Sequence, residues 1–192
     1  MTQIKTITLI LSFIIYCTVS LPANAHKEHG KERIKKAQEA TSQGKFKWST
    51  YVNSKYQFQI CYPNFMIPQG EADNGDGQKF IAKDGGKLTV YGYYNVINNG
   101  DFLKTVKDST QLTIGKNGHI TYQTYHQSWV VISGINNKKN IFYYKFLSEK
   151  NDRILVLEFV YSHILATKYN EITKKLGSCF KDINRSSSSD NL

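Results

Sequence analysis

The sequence predicts an α+β domain in which helices flank a mostly antiparallel sheet of about six to seven strands. Four segments between residues 119 and 161 alternate apolar and polar side chains and are separated by short turns, which is typical of antiparallel strands. The last of them, residues 153–161, is apolar on both faces, as expected of a central strand covered on both sides. The chain then ends in an amphipathic helix, so we expect a helix packed on a sheet.

The first 25 residues predict a cleaved signal peptide. Lys5 provides a basic start, residues 7–19 are mostly apolar, and Ala23-Asn24-Ala25 is the small-x-small pattern that signal peptidase recognises. An uncleaved anchor is the alternative, but the apolar run is shorter than the roughly 20 residues that span a bilayer. We therefore expect a periplasmic or secreted protein that begins at His26 and has no stable membrane insertion after cleavage.

The charge of the chain is strongly positive and comes mainly from lysine. Loss of Lys5 with the leader leaves 24 basic and 15 acidic side chains, a net charge of +9. Such a charge attracts nucleic acids or anionic membranes. Bidentate recognition of phosphate favours arginine, however, and the chain has three arginines, namely Arg33, Arg153 and Arg185. A lysine-rich solubilising surface is therefore the favoured interpretation, and we expect no nucleic-acid partner.

Segments of low complexity flank the predicted domain, which covers residues 48–184. Residues 26–47 are basic and poor in large apolar side chains, and they predict a flexible arm. Within the arm, His26, Glu28 and His29 resemble a copper-binding terminus, but a solvated terminus explains them as well, and we predict no metal site. The Ser-rich residues 185–192 predict a disordered tail.

The first predicted strand, residues 56–63, carries one of the two cysteines that remain after cleavage. Phe58, Ile60 and Tyr62 fall on one face, Cys61 falls on the other, and Pro63 ends the strand. A loop is expected to follow through Pro68 to the turn Asn74-Gly75-Asp76-Gly77. This turn is not a calcium loop, because placing Gly77 at the sixth position puts Ala72 and Lys83 where carboxylates are required.

A hairpin and a short helix are predicted next. Residues 79–82 and 87–94 flank the turn 83–86, with Leu88, Val90 and Tyr94 on one face and Tyr91 and Tyr93 on the other. The cluster Asn98-Asn99-Gly100-Asp101 is typical of a helix start. It predicts a helix over 102–109, with Phe102, Leu103 and Val106 facing inward. The four strands that follow are predicted at 119–126, 128–133, 140–148 and 153–161.

The last helix brings the second cysteine onto a buried face. Its apolar residues recur at spacings of four and three, and they are Leu165, Tyr169, Ile172, Leu176, Cys179 and Ile183. Two cysteines in an exported chain favour a disulfide between Cys61 and Cys179, with two buried thiols as the alternative. Such a bridge requires the helix to lie on the Cys61 side of the first strand.

The sequence contains no recognisable catalytic or cofactor signature. Gly-x-Ser-x-Gly, Cys-x-x-Cys and a phosphate-binding Gly-rich loop are all missing, so we predict no catalytic residue and no cofactor. His126 lies two residues from Ser128 but is better interpreted as a turn residue than as a general base. His119 and His163 are isolated and fit surface or capping positions.

The tyrosine content is the one unusual feature of the composition, with 13 residues in the chain. Tyrosines on strands are suited to ligand grooves and partner surfaces, although ordinary half-buried sheet positions explain most of them. The candidate binding surface consists of Tyr91, Tyr93, Tyr122, Tyr125 and Tyr143.

Several local patterns resemble small exported bacterial domains of the PsbP/Mog-like superfamily, whose roles are unassigned. The patterns are Trp48-x-x-Tyr51-x-Asn53, Tyr56-x-Phe58-x-Ile60-x-Tyr62-Pro63, Asn74-Gly75-Asp76-Gly77-x-x-Phe80, Asp84-Gly85, Leu88-x-Val90-x-Gly92, Trp129-Val130-Val131-x-Ser133-Gly134 and Ser178-x-Phe180. The resemblance covers residues 48–183 and implies an α/β/α sandwich with helices on both faces of a twisted sheet. It also implies a mostly non-catalytic family, although fold does not transfer function.

We therefore expect an exported, non-catalytic binding or accessory protein of the bacterial envelope. Its partner would be an unknown protein or envelope component, bound through a sheet edge, the tyrosines or the basic arm. The alternative is a small hydrolase-type enzyme whose site is assembled from scattered residues. A third hypothesis is binding to anionic surfaces through the lysines.

The leader makes a direct prediction about the exported protein. Mass spectrometry of the protein recovered from a bacterial periplasm or medium should give a chain that starts at His26, because cleavage follows Ala25. Replacing Ala25 with a bulky residue should block this cleavage. A wild-type chain that keeps residues 1–25 would show that the leader acts as an anchor.

Overall fold

The structure is a computed structural model that describes residues 46–96, 100–149 and 152–184. The predicted signal peptide, residues 26–45 of the predicted arm and the predicted tail lie outside the described residues. The strands are β1 Trp48–Asn53, β2 Phe58–Pro63, β3 Met66–Glu71, β4 Gly77–Ala82, β5 Lys87–Tyr94, β6 His119–Tyr125, β7 Trp129–Ile135, β8 Asn140–Glu149, β9 Arg153–Ser162 and β10 Lys181–Asp182. The helices are α1 Phe102–Ile114 and α2 Ala166–Cys179, the latter preceded by a 3₁₀ turn at His163–Leu165.

Seven strands form one antiparallel sheet in the order β3-β4-β5-β9-β8-β7-β6. Neighbouring strands in the chain pair as hairpins from β3 to β5 and again from β6 to β9. Strand β9 then returns to pair with β5, so α1 is the crossover between the two meanders. The predicted α+β class and the antiparallel sheet are confirmed.

Strand β9 is the centre of the sheet, and both of its faces are buried. Leu155, Leu157 and Phe159 face the side covered by α2, and all three are 0% exposed. Ile154 and Val156 face the side covered by α1 and are equally inaccessible. The doubly apolar pattern of this segment is therefore explained by a helix layer on each face, as predicted.

A second, smaller sheet shares the α2 side with the helix. It has the order β1-β2-β10, so its strands come from the two ends of the described chain. Phe58 and Ile60 of β2 are fully buried, and the ring of Phe58 lies 5.8 Å edge-on from that of Phe180. Tyr169, Ile172 and Leu176 form the buried face of α2 and belong to the same core.

The described chain contacts this core from its first residue. The ring of Phe46 lies 5.3 Å from that of Phe65, and the carbonyl of Lys47 accepts a hydrogen bond from the backbone N–H of Asn64 at 2.8 Å. Within the described residues, no helix combines the length and apolar character that crossing a membrane demands.

Cys61 and Cys179 form the expected disulfide, with 5.8 Å between their Cα atoms. The helix, however, does not reach Cys61 across one sheet face. Strand β2 belongs to the small sheet, and α2 runs beside the edge of β2 that β10 leaves unpaired. The backbone N–H of Cys61 accordingly donates to Sγ of Cys179 at 3.0 Å. The same helix therefore packs against the Phe58 side and still reaches Cys61.

A buried ion pair joins β9 of the large sheet to β10 of the small sheet. Arg153 of β9 forms a salt bridge with Asp182 of β10, and the two side chains are 13% and 4% exposed. Arg153 also donates to the carbonyl of Tyr56 at 3.1 Å. Breaking a buried pair leaves an uncompensated charge, so this contact strongly favours one position of β10.

The sequence prediction missed three strands. Residues 66–71, expected as a loop, form the edge strand β3. It was missed because five of its six residues are exposed, it contains Pro68, and its register shifts between Pro68 and Glu71. Prolines and bulges are typical of edge strands, which lack the alternation of a half-buried strand. The other two missed strands are β1, which precedes the first predicted strand, and the two-residue β10.

The helix predictions were correct in position but wrong in detail. Asp101 caps α1 by accepting from the N–H of Lys104 at 2.9 Å, which confirms the predicted helix start. The helix then runs to Ile114 rather than to residue 109. Leu103 was predicted to face inward but is 56% exposed. Ile183 lies beyond the end of α2, because the chain leaves the helix after Cys179 to form β10.

The disulfide predicts a large dependence of stability on oxidation. Replacing both cysteines with alanine should lower the free energy of unfolding by about 4–5 kcal/mol in the chain-entropy model, because the bridge spans 118 residues. Urea denaturation with and without reductant measures the loss. The wild type should lose this stability on reduction, whereas the double variant should be insensitive to reductant. Equal midpoints for oxidised and reduced wild type would contradict the prediction.

Candidate functional site

The connection between β3 and β4 is a tight, internally bonded loop. We call residues 69–78 the β3–β4 loop; they include the last three residues of β3 and the first two of β4. Gly70 and Gly75 have φ angles of +91° and +70°, which side chains disfavour. The N–H of Ala72 donates to the carbonyl of Gly77 at 2.9 Å, and that of Gly75 donates to Ala72 at 2.7 Å. This segment contains the turn predicted at 74–77.

Strand β1 and the turn after it hold the loop from one side through Asn53. This side chain is fully buried, and its amide donates to Oε1 of Glu71 at 2.9 Å and to the carbonyl of Gly75 at 2.8 Å. Its carbonyl oxygen accepts from the N–H of Tyr56 at 2.7 Å. Tyr51 donates to the same oxygen of Glu71, and burial together with this bond raises the pKa of Tyr51 to about 12.

The second carboxylate of the loop is also satisfied internally. Asp76 forms a salt bridge with Lys55 at 2.7 Å and accepts from Asn74 at 2.6 Å. The bond from Lys55 holds the pKa of Asp76 below its ordinary value. Glu71 and Asp76 are thus both hydrogen-bonded to residues of β1 and of the turn that follows it, which fixes the loop against that part of the chain.

The loop lies directly against β5 and borders a cavity of about 500 Å³. A Cβ at Gly77 would lie 2.0 Å from the carbonyl oxygen of Val90, so only glycine permits this approach. The N–H of Gly92 also donates to the carbonyl of Asp76 at 2.9 Å. Lys79, Thr89 and Tyr91 are the lining residues of β4 and β5 whose side chains project on the α1 side.

A row of polar side chains crosses the α1 side of the sheet from this cavity. Lys79, Thr89, Glu158 and Tyr144 lie directly opposite one another on the adjacent strands β4, β5, β9 and β8. The row ends at α1, where the hydroxyls of Tyr144 and Thr113 are 2.5 Å apart. We call these five residues the polar row.

Glu158 is the unusual member of the row. It is half-buried in the middle of the most apolar strand, and burial raises the pKa of its carboxyl above the ordinary 4.5. A hydrogen bond with Tyr144 and the charges of Lys87 and Lys79 oppose this rise. A carboxyl whose pKa is raised by burial near a cleft is typical of functional sites.

The five tyrosines proposed from the sequence do not form one surface. Tyr91 and Tyr93 lie beside the polar row, with ring centroids 6.0 Å apart and planes inclined by 22°. Tyr122 and Tyr125 are exposed on the edge strand β6. Tyr143 lies on the α2 side, where its hydroxyl occupies the space of a Gly177 side chain. The structure therefore brings two of the five together near the cavity.

Sequence reasoning missed Glu158, Lys79 and Thr89. A signal for Glu158 was present, since it is the one charged residue between Arg153 and His163 in a strand apolar on both faces. No comparable signal marks Lys79 or Thr89, because their role depends on the cross-strand register.

The histidines considered for catalysis lie apart from this site. The ring of His126 stacks on that of Trp129 at 3.9 Å, and Nδ1 of His163 lies 3.1 Å from the carbonyl oxygen of Lys139. Among the described residues, no three His, Cys, Asp or Glu side chains are grouped to hold a metal ion. His26, Glu28 and His29 fall outside the described residues.

A second cavity, of about 470 Å³, lies between the start of β3 and α2. Its Lys168 forms a salt bridge with Asp84 at 2.5 Å and lies 4.2 Å from the ring centroid of Phe65. Asp84 also accepts from the hydroxyl of Tyr169 at 2.5 Å. Lys168 and Asp84 are thus paired with each other, and Lys83 is the other charged lining residue. The cavity beside the β3–β4 loop is the better candidate site because the lining residues Lys79 and Thr89 lie directly opposite each other.

The fold is similar to that of a known protein. The solution structure of cyanobacterial PsbP (CyanoP) from Synechocystis sp. PCC 6803 matches with a TM-score of 0.50 and 13% sequence identity, covering 72% of this chain and 94% of that one. No protein-family model matches the chain, and no curated protein matches it. At this identity the likeness shows a PsbP-like fold and nothing about activity.

The burial of Glu158 predicts a pH-dependent effect of neutralising it. A carboxyl with a raised pKa binds its proton more tightly in the folded state, so wild-type stability falls as the pH rises above about 4.5. Glu158→Gln should therefore raise the Tm at pH 7.5 by a few degrees, and the gain should shrink towards pH 4.

The control for this experiment is Glu171→Gln on α2, where the side chain is 54% exposed. It should leave the Tm nearly unchanged at both pH values, measured by differential scanning calorimetry. A Glu158→Gln variant that is less stable than the wild type at pH 7.5 would contradict the prediction that the buried carboxylate destabilises the folded state.

Proposed function

We propose that this protein is an exported, non-catalytic binding or accessory protein of the bacterial envelope, and that it binds its partner at the cavity beside the β3–β4 loop. The observation that carries this proposal is the polar row, in which a half-buried Glu158 leads to Lys79 and Thr89 at the cavity. Carboxyls are rarely buried among apolar strands, and one with a raised pKa near a cleft is a candidate functional group.

Export is supported by two independent features. The N-terminal sequence has the pattern of a cleaved signal peptide, and the disulfide joins Cys61 to Cys179. Disulfides persist in oxidising compartments such as the periplasm and the exterior. The PsbP-like fold is consistent with an accessory role.

The site is suited to binding because it is preorganised. The β3–β4 loop is bonded to Asn53, Tyr51 and Lys55 before any partner arrives, so little entropy is lost on association. Lys79 is exposed and forms no salt bridge with the described part of the chain. Its ammonium group therefore has no direct ion-pair partner among these residues and can pair with an anionic group of a partner.

The hydrolase alternative receives no support from the histidines. Neither His126 nor His163 lines the two cavities described above, and the hydrogen bond of His163 goes to a backbone carbonyl. The binding proposal is therefore the one we carry to experiment.

Reversing the charge of Lys79 tests the binding site. Immobilised mature protein, residues 26–192, is expected to retain a specific envelope component, and Lys79→Glu should reduce the retained amount at least about tenfold. Lys174→Glu is the matched control, because Lys174 is 75% exposed on the far face of α2. It should retain the component like the wild type.

A chain that starts at residue 46 tests the basic arm in the same assay. Unchanged retention would remove the arm from the proposed binding surface. Equal losses for Lys79→Glu and Lys174→Glu would show that general charge, rather than the cavity, holds the partner. Hydrolysis of ester, amide or glycoside substrates by the purified protein, if Lys79→Glu abolished it, would overturn the non-catalytic assignment.

A further inference from the structure

The groups that remain free at the cavity define what it can recognise. Of the two carboxylates that line the cavity, Glu71 already accepts from Asn53 and Tyr51, and Asp76 is paired with Lys55. The hydroxyls of Thr89 and Tyr91 have no hydrogen-bond partner within the described residues, although both residues line the cavity. An unpaired hydroxyl can donate one bond and accept two.

The cavity also provides an aromatic surface and a positive charge. Tyr91 is half-buried beside Tyr93, and burial raises the pKa of its hydroxyl, which therefore stays protonated and able to donate. Lys79 is exposed at the rim, and Lys87 projects on the same side of the sheet from the start of β5. Neither lysine forms a salt bridge with any of the described residues.

We infer that the cavity binds an acidic saccharide, that is, a sugar unit with a carboxylate beside its hydroxyl groups. Hydroxyls of the sugar would pair with Thr89 and Tyr91, the apolar face of the ring would lie on Tyr91, and the carboxylate would pair with Lys79. A volume of about 500 Å³ falls within the range of small-ligand sites, roughly 300–1,000 Å³.

Position in the polar row gives this assignment its specificity. Lys79 and Thr89, the two members of the row that line the cavity, lie directly opposite each other, so they can bind neighbouring groups of one sugar unit. A neutral sugar would leave Lys79 without an anion, whereas a simple carboxylic acid would leave the hydroxyl-lined wall unused. An acidic sugar is the ligand class that satisfies both parts of the cavity. This inference rests on the proposed binding function and names the ligand class of the same site.

Two sources supply such sugars outside the cell, and calorimetric titration distinguishes them. The probes are trigalacturonate for acidic polysaccharides, the disaccharide of N-acetylglucosamine and N-acetylmuramic acid for the cell wall, and chitotriose as a neutral reference. At least one acidic probe should bind the mature wild-type protein about tenfold more tightly than chitotriose at low salt. The acidic probe that binds identifies the source.

Three variants locate the site in the same titration. Lys79→Gln should remove the preference for the acidic probe, and Tyr91→Ser should weaken both classes of sugar about tenfold. Tyr122→Ser, on the exposed edge strand β6, is the control and should bind like the wild type. Circular dichroism of each variant verifies that the fold is kept.

Absence of binding by every sugar at roughly 5 mM overturns the inference, as does a Lys79→Gln variant that keeps the acidic preference. These outcomes are separate from failure of the proposed function. If sugars fail but an envelope polypeptide is retained in a Lys79-dependent way, the binding function stands and its partner is a protein. If both assays fail, the proposed function falls as well.

Discussion

Burial of β9 on both faces is the constraint on which the rest of the structure depends. A strand that is apolar on each side requires two covering layers, and the chain supplies them unequally. On one side, α2 and the small sheet together cover the core around Leu157 and Phe159. On the other side, within the described residues, the 13-residue helix α1 covers the core around Ile154 and Val156. The polar row runs from α1 to the part of the sheet that borders the cavity.

The polar row marks the boundary between the covered and the open parts of the sheet. Tyr144 is fixed to α1 through Thr113, whereas Thr89 and Lys79 face the cavity. Glu158 lies between Thr89 and Tyr144 and is half-buried. A residue at such a boundary experiences partial desolvation, which explains the raised pKa of its carboxyl without a specific negative neighbour.

The sequence predicted the long, regular elements well and the site poorly, for identifiable reasons. The faces of β5 and β9 and the buried stripe of α2 follow from periodicity, which local sequence displays directly. Strand β3 was not predicted because Pro68 and the register shift remove its alternation of apolar and polar residues. The site depends on register between distant strands, such as Thr89 opposite Glu158, and no local pattern encodes that register. Tyrosine content pointed to Tyr91 and Tyr93 but could not separate them from Tyr143, which the sheet places on its opposite face.

The small sheet has a consequence for how the protein is made. Strand β2 pairs with β10, and Cys61 is bonded to Cys179. Residues near the start of the domain therefore cannot complete their contacts until residues near its end are present. Contacts this distant along the chain form late in folding, since the intervening loop must first be closed. Synthesis alone therefore cannot finish the α2 side of the core until nearly the whole chain has left the ribosome. In a chain with this topology the core on the α2 side stays incomplete until Cys179 and β10 are available to join β2.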